Sequence, residues 1–329
     1  MIVNGAGQPP DQLKGVLDMR KVRTIITASV TALAVPALAV TAAASALTTA
    51  HASTKAHAST TSFVSTATRA APAGPKPVVR VQGMHVIHVQ LPRTHLPHLI
   101  PHDVVRSSNW SGYAAVARPG VRLRFVQANF TIPSVNCANS PLGTLGFAYA
   151  SNWVGLDGFH NMTVEQAGVD SFCDSTGVPQ YAAWYEMFPL APVAFGPVSP
   201  GDAISASVFY SSSTNRNSIT LTDLTSGAKM QATNLRCPAG STCRHTSAEV
   251  ITEDPGNSVP QINLADYGMV NVTGAAVTSA DGTKGTLNAN SRWTSSQIIM
   301  RNSNTKTVMS QPSGLFGGKA FNVTWKAAK

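Results

Sequence analysis

A chain of 329 residues with only 12% charged side chains and abundant Gly, Ser, Thr, Ala and Val suits strands and turns rather than surface-charged helices. Its formal charge of +9 would suggest a nucleic-acid partner, but positions 1–106 carry ten Lys/Arg against three Asp/Glu (net +7), and the remainder fourteen against twelve (net +2). The excess sits in the leader, and no basic cluster with interleaved aromatics follows, which argues against a nucleic-acid partner.

Positions 1–18 are polar and irregular. From Met19 the pattern is that of an export signal: Arg20, Lys21 and Arg23 form a basic start, an Ala/Thr-rich apolar run covers 25–47, and small-residue cleavage candidates lie at 44–46 and 50–52. That run is nearly long enough to span a bilayer, but its composition and the crowded cleavage motifs favour export. Positions 1–52 are therefore read as an N-terminal extension plus secretory signal peptide, and the protein as secreted (extracellular). Positions 53–106 are rich in Pro, Thr, Ala and His, with five of the nine histidines between His85 and His102. One strand is predicted over 78–91, but the segment has too little apolar material for a core of its own. A linker to the cell surface and a removable pro-segment both remain open. In the preferred pro-segment reading, the protein is a zymogen whose histidines gain charge over an acidic cleft on acidification.

From Ser107 to the C-terminus, short stretches alternate apolar and polar residues: Val126, Ala128, Phe130 and Ile132; Ile204, Ala206, Val208 and Tyr210; Phe321, Val323 and Trp325. Many strands at short intervals predict one all-β domain over 107–329, an antiparallel sandwich of two large sheets. An even cysteine count fits an oxidising compartment. Cys237 and Cys243 are close enough to staple a small loop, which leaves Cys137 with Cys173. A metal site from Cys237, Cys243 and His245 lacks paired CxxC spacing and a fourth ligand, so no metal and no cofactor is expected.

The common catalytic signatures are absent: no GxSxG elbow, HExxH helix, Walker loop or GxGxxG after a strand occurs. Beyond the leader only His160 and His245 remain as bases for a Ser-His-Asp triad, and both are read as surface-loop residues. Three other stretches place polar groups inside aromatic, strand-like sequence. They are NWVGLDG at 152–158, VEQAGVD at 164–170 followed by YAAWYE at 181–186, and SAEVITEDP at 247–255. Strand alternation puts Trp153 and Asp157 on one face of the first. It puts Gln166 and Asp170 on one face of the second with Glu165 opposite, and Glu249, Ile251 and Glu253 on one face of the third. If these strands are neighbours, one face collects carboxyls, an amide and an aromatic, the composition of a ligand groove. A solvated outer face would carry the same residues at no cost, and alternation alone does not choose between the two.

With SNWSGY at 108–113, AAWYEMFP at 182–189 and the closing FNVTWK at 321–326, these motifs occur in the order and spacing of the glutamic peptidases of fungi, the eqolisins, and their bacterial relatives, which the chain resembles from about Ser107 to Trp325. The resemblance implies a concanavalin-like sandwich of two mainly seven-stranded antiparallel sheets with a substrate cleft on a concave face. It implies a catalytic dyad of Gln166 and Glu249, with Trp153, Asp157, Asp170, Tyr185 and Glu253 lining the cleft. Glu249 is preferred to Glu253 as the base because its spacing from Gln166 suits the family better. In the implied reaction, Glu249 activates a water and the Gln166 amide stabilises the oxyanion, making the protein an acid endopeptidase. Two departures stand out: Val250 follows Glu249 where the family usually has Trp, which predicts a more open cleft wall, and the domain is near neutral where fungal members are acidic.

The expected partners are protein or peptide substrates, with no nucleic acid, no membrane beyond the export signal, and a monomeric state. Two rivals remain: a carbohydrate-active or carbohydrate-binding concanavalin-like protein, and a non-catalytic secreted binding module. The first would need two carboxyls about 5–9 Å apart, where Gln166 supplies an amide instead. The second would be marked by loss of the dyad, and both of its members are present.

Overall fold

The structure, a computed structural model, describes residues 103–255 and 262–329. The expected signal, cleavage sites, strand at 78–91 and histidine-rich stretch lie outside the described residues. Among the described residues are one short 3-10 turn at Cys137–Asn139 and seventeen strands. These are β1 (Asp103–Ser107), β2 (Trp110–Ala117), β3 (Leu123–Thr131), β4 (Ala148–Leu156), β5 (Val164–Cys173), β6 (Pro179–Phe188), β7 (Val193–Pro197), β8 (Ala203–Ser211), β9 (Arg216–Asp223), β10 (Lys229–Leu235), β11 (Ser247–Glu253), β12 (Asn263–Leu264), β13 (Met269–Ser279), β14 (Lys284–Gly285), β15 (Trp293–Arg301), β16 (Val308–Pro312) and β17 (Phe321–Trp325). The first strand thus begins four residues ahead of Ser107, and it pairs in parallel with β15.

The alternating segments behave as period-2 strands. On β3 and β8, Val126, Ala128, Phe130, Ile204, Ala206, Val208 and Tyr210 are buried, while their neighbours are wholly or partly exposed. On β17, Phe321 and Val323 are buried and Trp325 is only partly so. One continuous hydrogen-bonded ladder joins the strands. From β15 one arm runs through β2, β11, β4, β5 and β6 to β7. The other runs through β16, β17, β13, β3, β8 and β9 to β10. Apart from the short parallel contacts of β1 with β15 and β12 with β4, the pairings are antiparallel. Apolar residues of both arms, such as Val126, Val208 and Ile219 with Val154, Val169 and Val250, form the main core cluster.

Strands β4, β5 and β11 depart from alternation, because every residue along them is buried. Their second face carries a separate apolar cluster with Trp110, Trp153, Trp184, Ile251 and Ile298. The polar residues interleaved with these side chains are therefore withdrawn from water as well. Two disulfides brace the frame: Cys137–Cys173 fastens the segment after β3 to the end of β5, and Cys237–Cys243 closes a small loop ahead of β11. The described residues hold no free thiol. Closing the longer loop is worth about 3–4 kcal/mol in the chain-entropy picture.

Gly168 of β5 lies between Trp153 on β4 and Trp184 on β6, opposite both. A Cβ there would come within 2.3 Å of the Asn152 carbonyl oxygen and 2.6 Å of the Trp153 Cβ. Neither atom is the end of a flexible side chain, so the strands would have to separate. Gly168→Ala is expected to cost about 1–3 kcal/mol or more, lowering Tm by roughly 2–4 °C per kcal/mol in a thermal melt. An unchanged melting curve would contradict this packing.

Candidate active site

Strand register brings the site together, with β4 at its centre. Gly155 is opposite Gln166 of β5 on one side and opposite Glu249 of β11 on the other. Gln166 is in turn opposite Glu186 of β6, and Glu249 opposite Ala114 of β2. Residues directly opposite one another project from the same face, so one row reads Glu186, Gln166, Gly155, Glu249, Ala114. With strands about 4.8 Å apart, the backbones of Gln166 and Glu249 stand about 10 Å apart across a residue without a side chain. A Cβ on Gly155 would lie 3.2 Å from the Gln166 Cβ and 3.1 Å from the Trp153 indole.

Two further rows complete the face. The next reads Trp184, Gly168, Trp153, Ile251, Gly112. The third reads Ala182, Asp170, Ser151, Glu253, Trp110. An aromatic row thus separates a row bearing Gln166, Glu186 and Glu249 from one bearing Asp170 and Glu253. All five polar side chains are at most 1% exposed, which excludes the solvated-face reading.

Burial at this density requires partners. Gln166 Nε2 donates to Glu186 Oε2 in a short contact, which fixes the orientation of the amide and leaves its second N–H for another acceptor. Glu253 accepts from Trp153 Nε1 at 2.7 Å and from Asn109 Nδ2 at 3.0 Å, so both of its oxygens are engaged. The Tyr149 hydroxyl donates to Asp170 Oδ2 at 3.1 Å. Trp110 meets Trp153 edge to face with ring centroids 4.9 Å apart. Burial pushes Glu186 up to about 9, aided by the charges of Glu253 and Asp170 and opposed by the Gln166 amide. Asp170 is pushed up to about 7, again by burial, with polar hydrogens of Ser151, Tyr149 and Trp184 pulling it back and the Glu253 charge raising it further.

The structure gathers Gln166, Glu249, Trp153, Asp170 and Glu253 on this face and leaves two expected members elsewhere. Asp157 follows the end of β4 with φ +68°, so alternation stops before it. Its carboxylate turns to the loop ahead of β11, accepting from the backbone N–H groups of His245 (2.7 Å) and Thr246 (2.8 Å). Tyr185 is opposite Ala167, packs against the main core and contacts Phe195, on the other side of β6 from Gln166. Val250 likewise packs into the main core, so replacing the family's Trp there changes the core rather than a cleft wall. His245 is buried and stacked on Tyr210, unlike the surface residue expected, while His160 is exposed. Glu186, Trp184 and Trp110 were missed. The signal for the first two was available, because Trp184 and Glu186 alternate with Ala183, Tyr185 and Met187 in AAWYEMF.

The sequence pattern of the Peptidase A4 family matches residues 108–315. Aspergillopepsin-2 of Aspergillus niger is 34% identical over 195 residues, covering 54% of this chain and 67% of the relative. Scytalidopepsin B of Scytalidium lignicola is 37% identical over 150 residues, covering 45% of this chain and 52% of that relative. Among solved structures, scytalido-glutamic peptidase with a peptide-based transition state analog superposes with a TM-score of 0.51 at 27% identity, over 67% of this chain and 98% of that one.

The buried acids set the pH dependence of stability. Asp170 and Glu186 hold their protons more tightly folded than unfolded, so their contribution is complete below about pH 4 and is lost as pH rises through about 7 and then about 9. Urea unfolding should show higher stability at pH 4 than at pH 8, by on the order of a few kcal/mol. Glu186→Gln still accepts from Gln166 but cannot titrate, and should flatten the part of the profile approaching pH 9. Stability that rises from pH 4 to 8, or an identical profile in the variant, would contradict the assignment.

Proposed function

This chain belongs to the Peptidase A4 family and is a glutamic-type endopeptidase, and we propose that it hydrolyses peptide bonds through Gln166 and Glu249 with a water activated by Glu249. The observation that carries this reading is the shared row across Gly155, with the Gln166 amide anchored by Glu186. Glu249, ionised, takes a proton from water as the water oxygen attacks the scissile carbonyl. The amide N–H of Gln166 that is not held by Glu186 donates to the developing oxyanion. Collapse of the tetrahedral intermediate breaks the C–N bond as Glu249 returns its proton to the leaving amine, so no covalent adduct forms. Glu186 is a positioning residue: without it the amide can rotate away from the reacting carbonyl. Trp153, Asp170 and Glu253 form the adjoining wall for the peptide. Glu253 is the weaker choice of base, since Trp153 and Asn109 already occupy both of its oxygens.

The finer features belong to the same proposal. The two arms of the ladder pack as a concanavalin-like sandwich of about seven strands each, with the dyad on the outer face of the β4–β5 arm. The enzyme is exported, acts as a monomer under acid conditions, and is held inactive until the histidine-rich segment that begins at 53 is removed ahead of β1, which the fold keeps from Asp103 rather than from Ser107. Protonation of Asp170 and Glu186 in acid supports the acid optimum, because it relieves repulsion within the carboxyl-rich face.

Digestion of a protein substrate at acid pH tests the dyad. Gln166→Ala is expected to lower kcat by about 10²–10³. Glu249→Gln keeps shape but cannot accept a proton and should be inactive while folded, whereas Glu253→Gln should retain turnover with a raised KM. Loss of turnover in Glu253→Gln with full activity in Glu249→Gln would transfer the base to Glu253. Wild-type activity in all three would sink the reading.

A further inference from the structure

Behind the dyad, on the opposite face of β5, lies a second buried cluster that the proposed reaction does not use. Glu165 precedes Gln166 on β5, Asp157 opens the turn out of β4, and His245 stands in the loop leading to β11. One ligating atom from each of the three lies within 4.8 Å of the others, and all three residues are buried. Glu165 Oε2 is 3.8 Å from His245 Nε2. Two donors each about 2.1 Å from one zinc ion stand at most about 4.2 Å apart, so this pair already fits such a span.

A second observation is independent of that clustering. Glu165 is 0% exposed, yet apart from its own backbone N–H no donor reaches its carboxyl, and neither nitrogen of the His245 ring has a hydrogen-bond partner. Buried polar atoms in folded proteins are almost always satisfied, so a carboxyl and an imidazole buried side by side with no side-chain donor between them point to a missing ligand. Asp157 differs: the backbone N–H groups of His245 and Thr246 and the Asn161 Nδ2 (2.8 Å) aim its carboxylate. Donors of this kind orient a metal-bound carboxylate. The His245 ring is likewise fixed by stacking on Tyr210, with centroids 3.7 Å apart.

We propose that Asp157, Glu165 and His245 bind a divalent transition-metal cation, zinc by their donor set, in a structural site distinct from the Gln166–Glu249 dyad. Two carboxylates and a neutral imidazole match the N/O ligands zinc accepts, and three protein donors leave a fourth position for water. The two positive charges offset two carboxylates that otherwise repel each other out of water. The ion also has a mechanical consequence. It ties the end of β4 and the start of β5 to the loop entering β11, and so fastens from behind the strands that present Gln166 and Glu249. The loops at 158–163 and 236–246 cover the cluster and touch through Asn161 with Thr246 and Thr163 with Thr242, both at 3.4 Å. The sequence conceals this site because its three donors are scattered over 89 positions and His245 reads as a surface residue.

Calorimetric titration of the chelator-treated full chain with zinc at pH 7 tests the proposal, alongside Glu165→Gln and His245→Gln. The leader histidines are common to all three proteins, so the difference isolates the site. Wild type should bind one equivalent more than either variant, and saturating zinc should raise its Tm and not theirs. Equal stoichiometry and equal Tm shifts in all three would overturn the site. Should either variant fail to fold, zinc-soaked wild-type crystals decide alone: an anomalous peak within about 2.2 Å of donor atoms from all three residues supports the site, and no peak there refutes it.

Discussion

Gly155 sits between two polar side chains that a β-sheet would otherwise keep apart, and the pairing that puts it there governs the molecule. Because side chains alternate with period 2, slipping β5 or β11 by one residue against β4 would send Gln166 or Glu249 into the apolar core. The register is held by what surrounds it. Trp153 and Trp184 flank Gly168, which accepts no side chain, and the glycine leaves room for the two indoles on the strands either side of β5. Packing of the aromatic row therefore supplies the precision that the polar row needs. The same packing withdraws those polar groups from bulk solvent.

That exclusion is costly. Asp170, Glu186, Glu249 and Glu253 are all buried on one face, and four ionised carboxylates could not be sustained so close together out of water. The protein meets the cost in two ways. Glu253 is kept as an acceptor by an indole and an asparagine, whereas Glu186 and Asp170 are driven towards their protonated forms. Glu186 remains an acceptor for the Gln166 amide in either protonation state, through its carbonyl oxygen if not its carboxylate. In acid both Glu186 and Asp170 carry their protons, which relieves the repulsion between neighbouring carboxylates on this face.

Much of this was legible from the sequence, for reasons that are local. Alternation in β3 and β8 needs only neighbouring residues to be read, and it assigned the buried sets correctly. Both disulfide pairings followed from one short spacing and elimination. Gln166 with Asp170, and Glu249 with Glu253, fell on common faces because their strands are regular. The failures occurred where regularity ends or where distant elements decide burial. Asp157 left its face because a positive φ stops the alternation one residue early. His245 lies in a loop whose burial is imposed by Tyr210 from β8, far off in sequence. Tyr185, which the family resemblance implies for the cleft, lies on the other side of β6, and it is Trp184 and Glu186 that share the face of Gln166. Whether the carboxyl-rich face meets water or not could not be read from period 2 at all, because β4, β5 and β11 are buried on both sides.

Gln166 and Glu249 are proposed to face the same reacting carbonyl from either side of Gly155. A crystal structure at acid pH with a peptide-based transition-state analogue addresses it most directly. The oxygen mimicking the oxyanion should lie about 2.7–3.1 Å from Gln166 Nε2, with the oxygen standing for the attacking water against the Glu249 carboxylate. An analogue whose tetrahedral centre is held by Glu253 and Asp170, out of reach of the Gln166 amide, would contradict it.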